Sequence, residues 1–169
     1  MQAILAVATL LIGIAIILMG NGLLGTLLGV RGELEGFSPS MLGLIMGVYF
    51  AGYVAGTMIV PGMIRQVGHI RIFTALASIA SIATLTHGLV VHPVSWMLGR
   101  AVTGFCIVGM YIALESWLNS QTTNDNRGHV FSAYMTTTLV GLGIGQLLLL
   151  AGEVETLFLF ALASVLLSL

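Results

Sequence analysis

The chain has 169 residues, of which 58% are hydrophobic and only 7% are charged, and its mean hydropathy is +1.10. A water-soluble domain usually carries about 25% charged residues, so this composition argues against a soluble globular fold. The net charge of −1 gives no basic surface for nucleic acid, and the single cysteine, Cys106, gives no disulfide framework.

Long apolar runs fill almost the whole sequence. A helix needs about 20 predominantly apolar residues to cross a bilayer, and five runs reach that length. The predicted spans are Ala3–Val30, Met41–Pro61, Arg71–Val91, Trp96–Trp117 and Val130–Ala151, with Leu157–Leu169 as an incomplete sixth. We therefore predict an all-helical membrane protein in which residues 1–169 form one six-helix transmembrane bundle. Because the sixth run is too short to span, we expect a fragment or a truncated gene product.

The first span contains the sequence Gly20-Asn21-Gly22. Glycine lowers helix propensity by about 1 kcal/mol relative to alanine, and an asparagine amide in hydrocarbon needs a hydrogen-bond partner. One interpretation is a hydrogen bond from Asn21 to a neighbouring helix. The other is a discontinuity of the helix that faces a cavity, as transporter helices often have.

Glycine is abundant, with 22 residues, and many recur at a spacing of four. In lipid no hydrophobic force draws helices together, so small residues that allow close backbone approach matter more. The spacing is compatible with tight packing and with helices that slide or rock against each other. The spaced glycines are Gly25 and Gly29 in span one, Gly43, Gly47, Gly52 and Gly56 in span two, and Gly141, Gly143 and Gly145 in span five.

Span four carries two ionisable residues inside the membrane, Arg100 and Glu115. A charge at the bilayer centre costs at least about 2.5 kcal/mol, and such residues usually face the bundle interior or a water-filled path. The two residues lie about 22 Å apart along a helix, so they cannot pair with each other. For Glu115 the alternatives are an ion pair with Arg71 or Arg127, or a protonatable carboxylate. For Arg100 they are capping by backbone carbonyls, or contact with a substrate or a proton-carrying partner.

Further polar side chains lie in spans two, four and five. Tyr49 and Tyr53 share one face of span two, and at about 100° per residue Tyr111 lies on the same face of span four as Glu115. Such a polar face is expected to point at protein or water. The candidates for a substrate or proton pathway are Arg100, Glu115, Asn21, Tyr49, Tyr53, Tyr111, Tyr134 and Gln146.

Aromatic residues mark the ends of span four. Trp96 and Trp117 bracket it, and tryptophan is enriched at both membrane–water interfaces, so we expect both to be interfacial anchors. His87 lies close to the outer end of span three. We expect it to be an interfacial histidine and not a proton relay.

The arginines predict the orientation of the chain. Arg65 and Arg71 follow span two, Arg127 follows span four, and the opposite side has Arg31 alone. Positive residues in short loops favour the cytoplasmic side, so the N-terminus is expected inside. The acidic residues Glu33, Glu35, Glu153 and Glu155 lie on the outer side.

Catalytic and cofactor motifs are missing from the sequence. It contains no His-Glu-x-x-His metal motif, no Gly-x-Ser-x-Gly nucleophile turn and no lysine to end a phosphate loop. The chain is therefore expected not to be an enzyme and to need no cofactor or metal.

The segment Pro61–Arg71 joins spans two and three and reads Pro-Gly-Met-Ile-Arg-Gln-Val-Gly-His-Ile-Arg. It resembles the loop motif Gly-x-x-x-Asp-Arg-x-Gly-Arg-Lys-x of the major facilitator superfamily. Pro61 takes the first glycine position, Gly68 matches the second, and Arg65 replaces the usual aspartate. This departure puts the usual aspartate-centred charge relay of the loop in doubt.

Other segments strengthen the resemblance. Arg100–Gly104 fits the Arg-x-x-x-Gly pattern early in the fourth helix, and Gly141–Gly145 is similar to a degenerate fifth-helix glycine motif. Resemblance to the YcaD-like branch of bacterial facilitators rests on Asn21, Glu115-Ser116, Asn126-Arg127-Gly128, Ala133-Tyr134-Met135 and Gly145-Gln146-Leu147-Leu148.

The resemblance implies half of a twelve-helix fold. The chain is similar to the N-terminal half, short of most of helix six, in which helices one, two, four and five line a central cavity. The implied partners are the lipid bilayer, the C-terminal half of the same transporter and a small-molecule substrate. The implied location is the cell (inner) membrane, with several spans. The implied conformational loop consists of Pro61, Arg65, Gly68, Arg71 and Arg127.

The expected function is secondary active transport of a small solute by alternating access, coupled to protons through Arg100 and Glu115. One alternative is a non-transporting membrane module or truncated product. Another is a half-size transporter that works as a homodimer. The identity of the solute is not readable, because one scaffold carries many kinds of cargo.

Overall fold

The computed structural model describes residues 2–123 and 126–169, with side chains described from residue 9 onward. Over these ranges the chain forms helices and short connections, without a strand. The helices are α1 (Gln2–Leu34), α2 (Pro39–Val67), α3 (His69–Leu89), α4 (Pro93–Gln121), α5 (Arg127–Leu147) and α6 (Phe158–Ser168), and a 3₁₀ turn at Leu148–Ala151 follows α5. By length and composition five of the described helices can cross a membrane, whereas α6 has only 11 residues. The expected six-helix bundle with a short sixth helix is confirmed.

Helices α2 and α4 begin with the same local signal. The side chain of Ser38 accepts a hydrogen bond from the backbone N–H of Met41, and Nδ1 of His92 accepts one from that of Val94. A proline follows each cap and occupies the first helical turn, where its missing N–H is not needed. Both helices therefore start before the apolar runs, because caps rather than hydrophobicity set the start of a helix.

Helix α1 runs through Gly20-Asn21-Gly22 without a break, so the discontinuity considered from the sequence is wrong. A Cβ added at Gly20 would lie 2.8 Å from the carbonyl oxygen of Ala163 in α6, and one at Gly22 would meet the carbonyl of Leu142 in α5. These two glycines let neighbouring helices approach the backbone of α1. Their helix-weakening effect is offset by this packing.

The helices pack in the series α2, α4, α3, α6, α1, α5. The helices inside the series are more protected than those at its ends: α4 is 61% buried over its most apolar stretch, against 22% for α2 and 17% for α5. Helices α2 and α5 therefore lie at the two ends of the series and keep most of their surface exposed.

The two ends of the bundle differ in charge. The start of α3 and the last turns of α4 meet at one end, where Nε2 of His69 lies 2.9 Å from Oγ of Ser116. At the other end, Arg31 donates a hydrogen bond of 3.2 Å to the carbonyl oxygen of Val154. We call the first the basic end, because it carries Arg65, Arg71 and Arg127, and the second the acidic end, because it carries Glu33, Glu35, Glu153 and Glu155.

Two helix pairs use one pattern of glycine contacts. Gly52 of α2 lies against the carbonyl of Ala101 in α4, and three residues later in α4 Gly104 lies against the carbonyl of Tyr49.

The α1–α5 pair repeats the arrangement. Gly145 of α5 lies against the carbonyl of Met19, and Gly22 of α1 lies against that of Leu142, again with a three-residue offset in each helix. Thus α5 lies on α1 as α2 lies on α4, and in both pairs the backbones are too close for any side chain at the glycine.

Only part of the predicted glycine pattern serves internal packing. Gly56 lies against Val108 and Phe105. A Cβ added at Gly141 would lie 2.9 Å from the carbonyl oxygen of Ala15. An added Cβ would meet no atom within 4 Å at Gly25, Gly43, Gly47 and Gly143, and only a Met46 methyl at 4.0 Å at Gly29.

Trp96 is a core residue, so its interpretation as an interfacial anchor is wrong. It is fully buried, donates from Nε1 to the carbonyl oxygen of His87 at 3.0 Å, and meets the ring of Phe37 edge-on. His87 is only 1% exposed, and its ring lies directly against Gly99. The sequence places both residues near a membrane surface, but the packing of α3 and α4 encloses them.

Candidate functional site

A polar cavity of about 300 Å³ lies between α1, α2, α4 and α5. These are the four helices that the resemblance implied around a central cavity. Four of the eight candidate residues lie here, one from each helix: Asn21, Tyr49, Arg100 and Gln146. The remaining lining residues are Gly22, Gly25, Thr26, Phe50 and Leu142.

Arg100 reaches this cavity from the buried side of α4 and is only 7% exposed. Its guanidinium carbon lies 4.3 Å from the centroid of the Tyr49 ring, a cation–π contact that uses no N–H donor. The glycine contacts between α2 and α4 bring the two residues together, because Gly104 packs on the carbonyl of Tyr49 itself.

Arg100 has no ion-pair partner among the described residues, and its buried Nε has no hydrogen-bond partner there. Capping by backbone carbonyls, the first interpretation from the sequence, is therefore not found. The cation–π contact contributes about 0.5–2 kcal/mol, less than the cost of a charge at the bilayer centre, so it does not balance the burial of the guanidinium.

Glu115 lies at the other end of the polar face of α4, towards the basic end. It accepts a hydrogen bond of 2.9 Å from the hydroxyl of Tyr134, a buried residue of α5. The described residues show no ion pair of Glu115 with Arg71 or Arg127, so that structural interpretation is wrong. Glu115 is instead held as a hydrogen-bond acceptor by a neutral phenol.

Tyrosines connect the two charged groups. The ring centroids of Tyr49 and Tyr53 are 6.2 Å apart on α2. Tyr53, Tyr111 and Tyr134 all lie near enough to Glu115 to experience its charge. The eight candidates therefore divide into two groups, one around Arg100 in the cavity and one around Glu115, with phenol side chains between them.

The motif residues at the basic end surround a sharp break between α2 and α3. Gly68 has φ 90°, a conformation that side-chain-bearing residues rarely adopt, and its N–H donates to the carbonyl oxygen of Ile64 at 2.8 Å. Pro61 lies inside α2 and not in a loop, because α2 continues to Val67.

The three arginines of the motif are exposed. Arg127 stacks 5.7 Å over the ring of Phe131. Neither Arg65 nor Arg71 forms an ion pair with any described residue, as expected where an arginine replaces the aspartate of the motif.

Sequence reasoning missed Thr26 and Phe50 in the cavity wall. Thr26 follows Asn21 by little more than one turn, a signal that could have been used, and its hydroxyl donates to the carbonyl oxygen of Gly22 at 3.2 Å. Phe50 offered no signal, because an apolar side chain in a span looks the same whether it faces lipid or a cavity.

A second cavity, of about 200 Å³, opens near the basic end between α1, α3 and α4. Its walls are mainly apolar: Leu10, His69, Ile70, Phe73, Ala113, Leu114 and Trp117. It contains none of the candidate pathway residues. Within the described part of the chain, no group of three histidine, cysteine or acidic side chains is placed to hold a metal ion.

Comparison with known families identifies the chain. The family model of the Major Facilitator Superfamily matches residues 10–169. The chain belongs to this superfamily. The match covers all six helices of the bundle, and it makes the chain an integral membrane protein with several spans.

Among curated superfamily proteins, the chain is 30% identical over 142 residues to "Uncharacterized MFS-type transporter YcaD" of Escherichia coli O45:K1 (strain S88 / ExPEC). The same identity and length hold for the proteins of that name from Escherichia coli O81 (strain ED1a) and Escherichia coli O9:H4 (strain HS). Each alignment covers 84% of this chain and 37% of the relative. The chain thus spans about a third of the length of these superfamily members, and the comparison with solved structures found no match.

Proposed function

We propose that this chain is the N-terminal half of a secondary transporter that moves a small solute across the membrane by alternating access. The observation that carries the proposal is the polar cavity between α1, α2, α4 and α5. Amide, hydroxyl and guanidinium groups converge there inside an apolar bundle, and polar groups at membrane depth usually mark a solute or ion pathway. The names of the superfamily relatives, which describe transporters, agree with this proposal.

A C-terminal half of the same polypeptide completes the site. Alignment with only 37% of each relative supports this, and so does the low burial of α2 and α5. Gly43 and Gly47 of α2 and Gly143 of α5 face open space, so a second bundle can approach these helices closely. The solute then binds between the two bundles, and their rocking opens the site to each side in turn.

Proton coupling is the second part of the proposal. Glu115 carries the proton, and Tyr134 holds its carboxylate in place through the 2.9 Å hydrogen bond. The tyrosines between Glu115 and Arg100 allow the proton and solute sites to influence each other without a direct ion pair.

We further propose that the protein lies in the inner membrane with its basic end on the cytoplasmic side. The basic end carries three arginines, Arg65, Arg71 and Arg127, whereas the acidic end carries Arg31 alone. Positive residues in short loops are retained on the cytoplasmic side. This orientation puts both the N-terminus and Glu115 towards the cytoplasm.

The test is solute-dependent proton flux through the full-length protein in proteoliposomes that contain a pH-sensitive dye. Wild-type protein is expected to move protons when a transported solute is added, and Glu115→Gln is expected to move solute without protons. Glu155→Gln, at an exposed position of the acidic end, is the matched control and is expected to behave like wild type.

Two results would contradict the proposal. Absence of flux for every solute would indicate a non-transporting membrane module. Normal turnover and normal proton coupling in both Glu115→Gln and Arg100→Ala would remove these residues from the mechanism.

A further inference from the structure

We propose that the cavity recognises an oxyanion, a carboxylate or phosphate group on the transported solute, and that Arg100 is its principal ligand. This inference rests on the proposed transport function and adds the chemical class of the solute. Its starting point is Arg100, which is only 7% exposed, lines the cavity and has no counter-anion among the described residues.

The five acidic residues that the structure describes are distant from Arg100 or already engaged. Glu115 accepts the hydrogen bond from Tyr134 and lies about 22 Å along α4 from Arg100, from the helical rise per residue. Glu35 forms an ion pair with Arg31 at the acidic end. Glu33, Glu153 and Glu155 are exposed at that same end, and the sixth acidic residue, Asp125, lies outside the described residues.

The neighbours of Arg100 in the cavity suit an anion better than a cation. The side chains of Asn21 and Gln146 each bring an NH₂ group, and Tyr49 brings a hydroxyl. None of the described residues that line the cavity carries a carboxylate. A cationic solute would therefore meet a like charge without any compensating group.

Among the described residues no group accepts a hydrogen bond from the Arg100 guanidinium, so its N–H groups are available to an anion. Tyr49 contacts the guanidinium through the ring face and not through a hydrogen bond. An arginine presents its donors in a fixed planar fork that matches carboxylate and phosphate in a bidentate manner. Such charge-assisted pairs are about twice as strong as neutral hydrogen bonds. The N–H groups of Arg100 without an acceptor and the lack of a counter-anion among the described residues both point to an oxyanion as the ligand.

The anion has two possible sources, which share this chemistry. It can belong to the solute, as proposed, or to an acidic side chain of the proposed C-terminal half. A protein carboxylate would be present in every molecule, so added anions would then have no effect. A solute anion would stabilise the protein in proportion to its concentration, because a ligand that binds only the folded state shifts unfolding by mass action.

The experiment is thermal unfolding of the purified full-length protein in detergent, with four anions tested separately. The anions are acetate, succinate, benzoate and inorganic phosphate. Acetamide, succinamide and benzamide are the neutral counterparts of the first three. Sodium chloride at matched ionic strength controls for salt. We expect at least one anion to raise the Tm by several degrees at millimolar concentration, while its neutral counterpart and sodium chloride do not.

Variants assign the effect to the cavity. Arg100→Gln is expected to abolish the anion-dependent shift in Tm. Gln146→Leu is expected to weaken the apparent affinity for the anion several-fold, and its exposed position in the cavity carries little risk to folding. Arg31→Gln is the matched control, because it removes an arginine at the acidic end, and the anion-dependent shift should remain. Arg100→Lys, which keeps the charge, should retain part of it.

Three results would overturn the inference: no anion raises the Tm, the neutral counterparts act equally, or the shift survives in both Arg100→Gln and Gln146→Leu. Transport assays separate it from the proposed function. Flux of neutral or cationic solutes alone would support the transport function and contradict the anion site. Anion binding without flux of any solute would support the anion site and contradict the transport function.

Discussion

At the scale of single residues, the two charges of α4 illustrate how environment sets a role. Arg100 and Glu115 lie on one face of one helix, yet Glu115 has a phenol donor and Arg100 has only an aromatic ring. The first is held in a defined hydrogen bond, and the second faces an open cavity. The difference follows from which neighbouring helix each residue meets, α5 for Glu115 and α2 for Arg100.

The hydrogen bond between Tyr134 and Glu115 should stabilise the contact between α4 and α5. Tyr134→Phe removes the donor and keeps the ring, and we expect it to lower the free energy of unfolding by about 0.6–1.7 kcal/mol, as for other polar contacts between membrane helices. Tyr53→Phe is the control, since no described side chain or backbone group accepts a hydrogen bond from that hydroxyl. Unfolding in detergent measures the free energy of unfolding of both variants. An equal loss of stability in the two would show that the hydrogen bond contributes nothing.

At the scale of helices, glycine acts through position and not through spacing. Gly145 and Gly143 lie one helix turn or less apart on α5, yet only Gly145 touches a neighbouring backbone. The same contrast separates Gly52 from Gly47 on α2. Pairs with the same four-residue spacing also differ, since Gly141 and Gly145 lie against α1 whereas Gly43 and Gly47 meet no atom within 4 Å. A four-residue repeat therefore does not reveal which glycines form the close contact.

Alanine substitution should separate these glycines. A methyl group at Gly145 or Gly52 would meet the carbonyl of Met19 or Ala101, and we expect a loss of about 1–3 kcal/mol, typical of overpacking. In the 169-residue chain alone, the methyl groups of Gly143→Ala and Gly47→Ala meet no atom within 4 Å, so these changes should not destabilise that bundle. Unfolding curves in detergent distinguish the two sets. Equal stability of Gly145→Ala and Gly143→Ala would contradict the close helix contact.

At the scale of the whole molecule, the order of packing determines what the bundle exposes. Helices α2 and α5 end the series, and the cavity lies between them, α1 and α4. The matched glycine contacts of the α2–α4 and α1–α5 pairs give the two sides of the cavity the same construction. This arrangement leaves one face of the bundle free for the proposed second half.

Sidedness can be tested with the natural cysteine in place. Cys106 is 1% exposed, so a membrane-impermeant maleimide should not reach it. We expect Thr156→Cys, exposed at the acidic end, to react in intact cells, and Gln66→Cys, exposed near the basic end, to react only after lysis. The opposite pattern would reverse the proposed orientation, and the unsubstituted protein provides the background.

Much of the architecture was predictable from sequence because the bilayer imposes a simple rule. Apolar runs of about 20 residues must form helices in lipid, where the backbone has no water to bond with. The number of helices could therefore be read directly, whereas the superfamily was indicated by the resemblance of motifs such as Arg100–Gly104. The helix ends were less accurate, because caps such as Ser38 and breaks such as Gly68 lie outside the apolar runs.

The tertiary structure alone decided which polar residues meet. The sequence named Asn21, Tyr49, Arg100 and Gln146 as separate candidates on four helices, and only the packing brings them to one cavity. It also buried Trp96 and gave Glu115 a tyrosine in place of an arginine. The reason is physical: hydrophobicity along a helix determines that it enters the membrane, whereas the rotation and depth of each helix depend on backbone contacts with its neighbours, which no single helix encodes.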